Sequence, residues 1–180
     1  MILASRSPQR RAILEQLGVS FSVAVPEVQE LVSGPPHDIA VENAFRKASA
    51  VAFEGVSVLG ADTVVALGGR VYGKPASVDE ARATLTALSG RRHSVIGGLC
   101  LIGGDGRPRT AAATTAVSFR ELGERLLEWY LATGEWRERA GGYAIQGFGA
   151  ALVRGVEGDY FNVVGLPVAL LLELAPELLR

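Results

Sequence analysis

Cysteine occurs once in the 180 residues, at Cys100. A single thiol excludes an intrachain disulfide framework and a thiolate zinc site. The two histidines, His37 and His93, stand far apart and outside any metal-binding spacing. No apolar run approaches the roughly 18 residues that a membrane span needs. Arg10 and Arg11 come too early for the apolar core of a signal peptide, so a cytoplasmic location is the expectation. Charge of one sign is lacking too: 18 basic residues face 19 acidic ones, for a formal net charge of -1. That balance speaks against a nucleic-acid binder relying on bulk positive charge, yet allows a local basic cluster around a small anion. Repeats and low-complexity linkers are also missing.

What is present suits one domain with a sizeable core, since 48% of residues are hydrophobic. Strand and helix signals interleave. Residues 1–5 are a short apolar strand. Ser7 and Pro8 start a helix as cap and first residue, with Ile13, Leu14 and Leu17 at helical spacing and Gly18 as its stop. Residues 20–25 alternate as a strand, 26–36 form a loop, and 37–53 form an amphipathic helix. The β-branched run 57–67 is a central strand that turns at Gly68-Gly69 into residues 70–72. Ser77 to Glu80 is a capping box for a helix ending near Leu88. Residues 92–102 and 110–119 make a hairpin, 122–132 a helix, and a glycine-rich loop from Gly141 leads into another strand. One helix or two short ones close the chain. Interleaving makes the class α/β, and the hairpins require a mixed sheet with flanking helices.

Charge placement singles out the chemistry. Arg10 and Arg11 sit in the first turn of the first helix, where the backbone is already positive and each cation costs roughly 0.3–1 kcal/mol. An anion bound at that helix end, with the Ser5 and Ser7 hydroxyls as further donors, would reverse the sign for Arg10. Asp62 lies inside an apolar run, and a buried carboxylate needs a cation, a metal or a proton beside it. Its expected place is near a strand end, as a metal ligand or as a general base on water; a turn-capping Asp is the alternative. Residues 68–74 have the spacing of a phosphate-binding loop, but Pro75 replaces the required hydroxyl and disfavours helix at Lys74. Lys74 is kept as a phosphate contact. Lys47 and Glu30 mean little on spacing alone. Gln146, among glycines, can read a base edge with its amide. His93, with no Ser or Asp motif nearby, reads as structural or peripheral.

In order, the segments LASRSPQRR, GADTVV, GKP, LSGRRHSV, AGGYAIQG and NVVGLP resemble the Maf family of nucleoside triphosphate pyrophosphatases, over nearly the whole chain from Leu3 to Pro167. The resemblance implies a mixed α/β fold with two lobes around a cleft, related to the inosine triphosphate pyrophosphatases. It implies cleavage between the α and β phosphates with a divalent metal, Mg2+ or Mn2+, and a homodimer as a common assembly. Under it Asp62 is the catalytic carboxylate that accepts the proton of the attacking water, and Glu30 is the acidic loop residue; beside a metal near Asp62, Glu30 reads as a second carboxylate. Ser7, Arg10, Lys47 and Lys74 bind phosphate, and Gln9, Thr63 and Gln146 tune substrate choice. Gln9 stands where many members have arginine. The tyrosine–glutamine pattern around Gln146 is similar to the branch acting on dTTP and UTP. A 7-methyl-GTP or purine preference, or a non-catalytic nucleotide-binding regulator of septum formation, are the competing readings.

Overall fold

β3 (Val58–Leu67) is the strand on which the site is assembled. The computed structural model describes residues 1–179. Around β3 lie β1 (Ile2–Ala4), β2 (Ser22–Ala24), β4 (Arg70–Tyr72), β5 (Arg92–Ile102), β6 (Pro108–Phe119) and β7 (Val153–Glu157). They form one seven-stranded sheet in the order β2-β1-β3-β5-β6-β7, with β4 also on β3. β1 runs parallel to both β2 and β3, and the remaining pairs are antiparallel. The expected mixed α/β class is the observed one. Among the described residues no helix is long and apolar enough to cross a membrane.

Alternation along β3 and β5 sends neighbouring side chains to opposite faces. One face carries α2 (Pro36–Ala50). Its buried stripe of Ile39, Ala40, Asn43, Ala44, Lys47 and Ala48 follows helical spacing and is half alanine. Gly60 and Gly98 lie beneath it, and a Cβ on either would overlap the carbonyl of Ala44 or Ala40. This close approach is what lets side chains of α2 reach the middle of β3.

The other face holds two apolar clusters. One joins Leu59, Ala61, Leu99 and Leu101 to α1 (Pro8–Gln16) and α6 (Val168–Leu174). The second joins Val65, Val95, Val117 and Phe119 to α3 (Val78–Leu88) and α4 (Glu124–Thr133). Thr63 stands on this face between them.

The outer edge of β3 is interrupted. β1 pairs with it only from Val58 to Gly60, and β4 only from Val65 to Leu67. Residues 61–64 therefore pair with β5 on one side alone. Asp62 lies in the interior of β3, not near its end as expected from the sequence. The break in pairing does the work of a strand end, because β1 and β4 both leave the sheet beside Asp62. Two further differences concern helices. α2 stops at Ala50 rather than 53. A short α5 (Tyr160–Val164), capped by the Asp159 carboxylate, precedes Gly165 where the sequence reading had no helix. The buried Asn162 amide ties α5 to the sheet through the Val95 carbonyl and the Thr115 hydroxyl, both at 3.0 Å.

His93 is structural, as read. It is buried in the second cluster, edge-on to Phe119 and Tyr143, and its Nε2 shares a hydrogen bond of 2.9 Å with the Tyr143 hydroxyl. Burial pushes its imidazole down to about 4, and an N–H at Nδ1 has no acceptor to bond to. The unfolded chain takes up that proton near 6.5, so the contribution is complete above pH 6.5 and is lost as pH falls toward 4. The expected loss is about 2–3 kcal/mol between pH 7 and pH 4.5. Denaturant unfolding of wild type and His93→Gln at both pH values checks it; equal losses in the two proteins would clear His93 of the effect.

Candidate functional site

The site begins where β1 ends. The Ser5 hydroxyl accepts the Ser7 N–H at 3.1 Å, and the Ser7 hydroxyl caps α1 by accepting the Arg10 N–H at 3.4 Å. Pro8 occupies the first turn, which contains no acidic residue. Ser7 also donates to the Gln9 amide oxygen at 3.2 Å. Arg11 turns outward and pairs with Glu15. Arg10 turns inward and is only 8% exposed. Its Nε donates to the Gly165 carbonyl at 2.9 Å, Nη1 to Ser5 at 3.1 Å and Nη2 to the Thr63 hydroxyl at 3.1 Å. All three acceptors are uncharged. Burial lowers the pKa of this guanidinium, opposed by the charges of Asp62 and Glu30. Among the described residues no carboxylate lies within ion-pair distance of Arg10, which leaves a buried cation open to an anion from outside.

On the other side of β3, Asp62 faces α2. Its Oδ1 receives Lys47 Nζ at 2.7 Å and its Oδ2 receives Asn43 Nδ2 at 3.0 Å. Lys47 also pairs with Glu30 at 2.8 Å, so one ammonium stands between two carboxylates. Asn43 is fixed in turn by the backbone of Leu31, accepting its N–H at 2.7 Å and donating to its carbonyl at 3.0 Å. The loop bearing Glu30 is thereby tied to α2.

A cavity of about 660 Å³ collects these groups, and all nine residues named from the sequence line it. It touches the β3 face of Thr63 and Val65 and reaches Asp62 and Lys47 past the interrupted edge. Lys74, at the exit of β4, is more than half exposed and pairs with Glu138 at 3.2 Å. Gln146 is exposed and lines the cavity together with Tyr143 and Ala144. Five cations, Arg6, Arg10, Lys47, Lys74 and Arg139, face three carboxylates, Glu30, Asp62 and Glu138, in a chain whose net charge is -1. The cavity is thus locally positive.

Arg6, Asn43, Glu138, Arg139 and the Gly165 carbonyl went unremarked in the sequence. Asn43 had a signal, because it precedes Lys47 by one helical turn. The Gly165 carbonyl had none, since any residue supplies a backbone acceptor. Among the described residues no cluster of three or more His, Cys, Asp or Glu side chains could hold a metal ion alone. Asp62 and Glu30 do offer two hard oxygen donors close together, which fits a Mg2+ or Mn2+ ion whose other ligands are phosphate oxygens and water.

A mixed α/β protein with a buried carboxylate and a ring of cations around one cavity belongs among the proteins shaped for polyanionic ligands. The chain belongs to the Maf-like protein family, whose model matches residues 1–178. A relative from Pyrococcus furiosus, named dTTP/UTP pyrophosphatase, is 46% identical over 97% of this chain and 93% of its own. One from Symbiobacterium thermophilum with the same name is 46% identical over 93% of this chain and 88% of its own. A solved structure titled as a HAM1 protein from Coxiella burnetii shows a partial likeness, with a TM-score of 0.46 and 21% identity over 66% of this chain and 71% of that one.

Proposed function

We propose that this chain hydrolyses nucleoside triphosphates, dTTP and UTP in preference, to the monophosphate and pyrophosphate. The observation that carries the reading is Asp62, held by Lys47 and Asn43 on the wall of a cavity that Arg10 and Lys74 also face. The names of the relatives point to the same substrates.

A triphosphate tail brings about four negative charges, which must be balanced before water can approach phosphorus. Arg10 meets that need without giving up an internal ion pair. The N–H groups at the start of α1 add donors beside it. Lys74 exchanges an exposed carboxylate partner for phosphate. Asp62 has spare lone pairs once Lys47 and Asn43 are satisfied, so it can accept the proton of a water aimed at the α-phosphorus. Asp62 and Glu30 would hold a divalent ion with the phosphates, and that ion, when bound, supplies further charge neutralisation. Thr63, Gln9 and Gln146 face the remaining volume, where the base and sugar would lie. A pool nucleotide as substrate suits a cytoplasmic location.

The test is a panel of pyrimidine, purine and 7-methylguanosine triphosphates, with monophosphate and pyrophosphate quantified, with Mg2+, with Mn2+ and with chelator. Release of pyrophosphate from dTTP and UTP above the others is expected. Preference for the 7-methyl or purine substrate would overturn the assignment of substrate. Nucleotide binding without turnover under any metal condition would replace the enzyme by a binding regulator.

Arg10→Ala tests the phosphate grip. Loss of charged hydrogen bonds of about 1.5–3 kcal/mol should raise KM roughly 10- to 100-fold. An unchanged KM in steady-state kinetics would remove Arg10 from substrate binding.

A further inference from the structure

Gln146 is exposed on a turn rich in glycine, where nothing in its own side chain fixes its position. The fixing comes from Glu135. Its Oε1 accepts the Phe148 N–H at 2.9 Å and its Oε2 accepts the Gly149 N–H at 2.7 Å. Both carboxylate oxygens are thus spent on two consecutive amides just beyond Gln146. Gly147 makes the approach possible, because a Cβ there would overlap the Glu135 carboxylate. The turn closes on itself through the Gly147 N–H and the Ala144 carbonyl at 3.1 Å.

Glu135 is itself held at its stem. α4 ends at Gly134, and the Thr133 hydroxyl accepts the Glu135 N–H at 3.1 Å while donating to the Tyr130 carbonyl at 2.7 Å. The next residue, Trp136, is buried and donates to the Leu131 carbonyl at 3.1 Å. A rigid helix end therefore grips the turn by its backbone. Charge-assisted bonds to backbone amides are among the stronger ones a side chain makes.

We infer that Glu135 is a positioning residue for substrate selection: it sets where Gln146 stands in the cavity and touches no substrate itself. The inference rests on the proposed reading of Gln146 as a contact to the base. Glu135 does not line the cavity and has no place in gripping the phosphate tail, which the proposed reading gives to Arg10 and Lys74.

The experiment compares wild type, Glu135→Ala, Glu135→Gln, Gly147→Ala, Gln146→Ala and the Glu135→Ala/Gln146→Ala pair. For each, kcat and KM are measured with dTTP and GTP, inhibition with tripolyphosphate, and amide deuterium exchange at Phe148 and Gly149. In Glu135→Ala, discrimination between dTTP and GTP should fall about tenfold, through KM for dTTP, as expected for one lost charged hydrogen-bond pair. Exchange at Phe148 and Gly149 should quicken, and tripolyphosphate inhibition should hold. Glu135→Gln, which keeps one acceptor, should fall between, so it decides the matter if the alanine variant folds poorly. Gly147→Ala should act in the same direction as Glu135→Ala. The double variant should lose no more discrimination than Gln146→Ala alone. Full discrimination in both Glu135 variants, alongside its loss in Gln146→Ala, overturns this inference and spares the reading of Gln146. Full discrimination in Gln146→Ala overturns both. Equal losses toward dTTP, GTP and tripolyphosphate would make Glu135 merely structural and overturn the inference.

Discussion

Asp62→Asn should lower kcat about a thousandfold, within the roughly 10²–10⁴ that a positioned general base contributes, while nucleotide affinity and folding persist. Asparagine keeps the shape of the side chain. Lys47 retains Glu30 as its ion-pair partner at 2.8 Å. The amide oxygen of the new side chain can still accept from Asn43, whose own place is secured by the Leu31 backbone. What disappears is the ability to take a proton from water, together with one of the two negative charges that would hold a divalent ion. Single-turnover hydrolysis and calorimetric binding of a non-hydrolysable triphosphate separate these effects. A kcat within tenfold of wild type would remove Asp62 from the role of base. Loss of binding with turnover of the bound fraction intact would make it a binding group instead.

Lys47→Met should lower stability substantially. The ammonium lies within 2.8 Å of both Asp62 and Glu30, and its side chain is only 9% exposed. Removing one member of a buried ion pair costs about 3–5 kcal/mol, because the other is left uncompensated. Glu30 is nearly half exposed and can turn to water, so Asp62 bears most of the penalty and the lower figure applies. For a chain of this size that corresponds to a fall in Tm of about 10 °C. The double variant Lys47→Met/Asp62→Asn should recover most of the lost stability and none of the activity. Additive losses in thermal unfolding would show that Lys47 acts through packing and not through the Asp62 charge.

Much of this site was legible because its residues violate local expectation. An acid inside the apolar run of β3 and an arginine at the positive end of α1 each ask for a partner, and both line the cavity. The location of Asp62 within its strand was not legible. It depends on how far β1 and β4 extend along β3, and pairing between distant segments leaves no local trace. Lys47 had the spacing of a solvent-facing flank, and only the resemblance singled it out. Its burial follows from Gly60 and Gly98, which admit α2 closely and lie outside the helix altogether. α5 escaped notice because it is a single short turn, although Asp159 signalled its start. Elsewhere the helix and strand bounds lie within a residue or two of those expected, and the Ser77 hydroxyl accepts the Glu80 N–H as expected.

The hydrogen bond from Arg10 to Gly165 joins residues separated by 155 positions. Arg10 is therefore synthesised well before the carbonyl that orients its guanidinium. Until the segment carrying Gly165 is made, the guanidinium lacks the acceptor that aims its Nε.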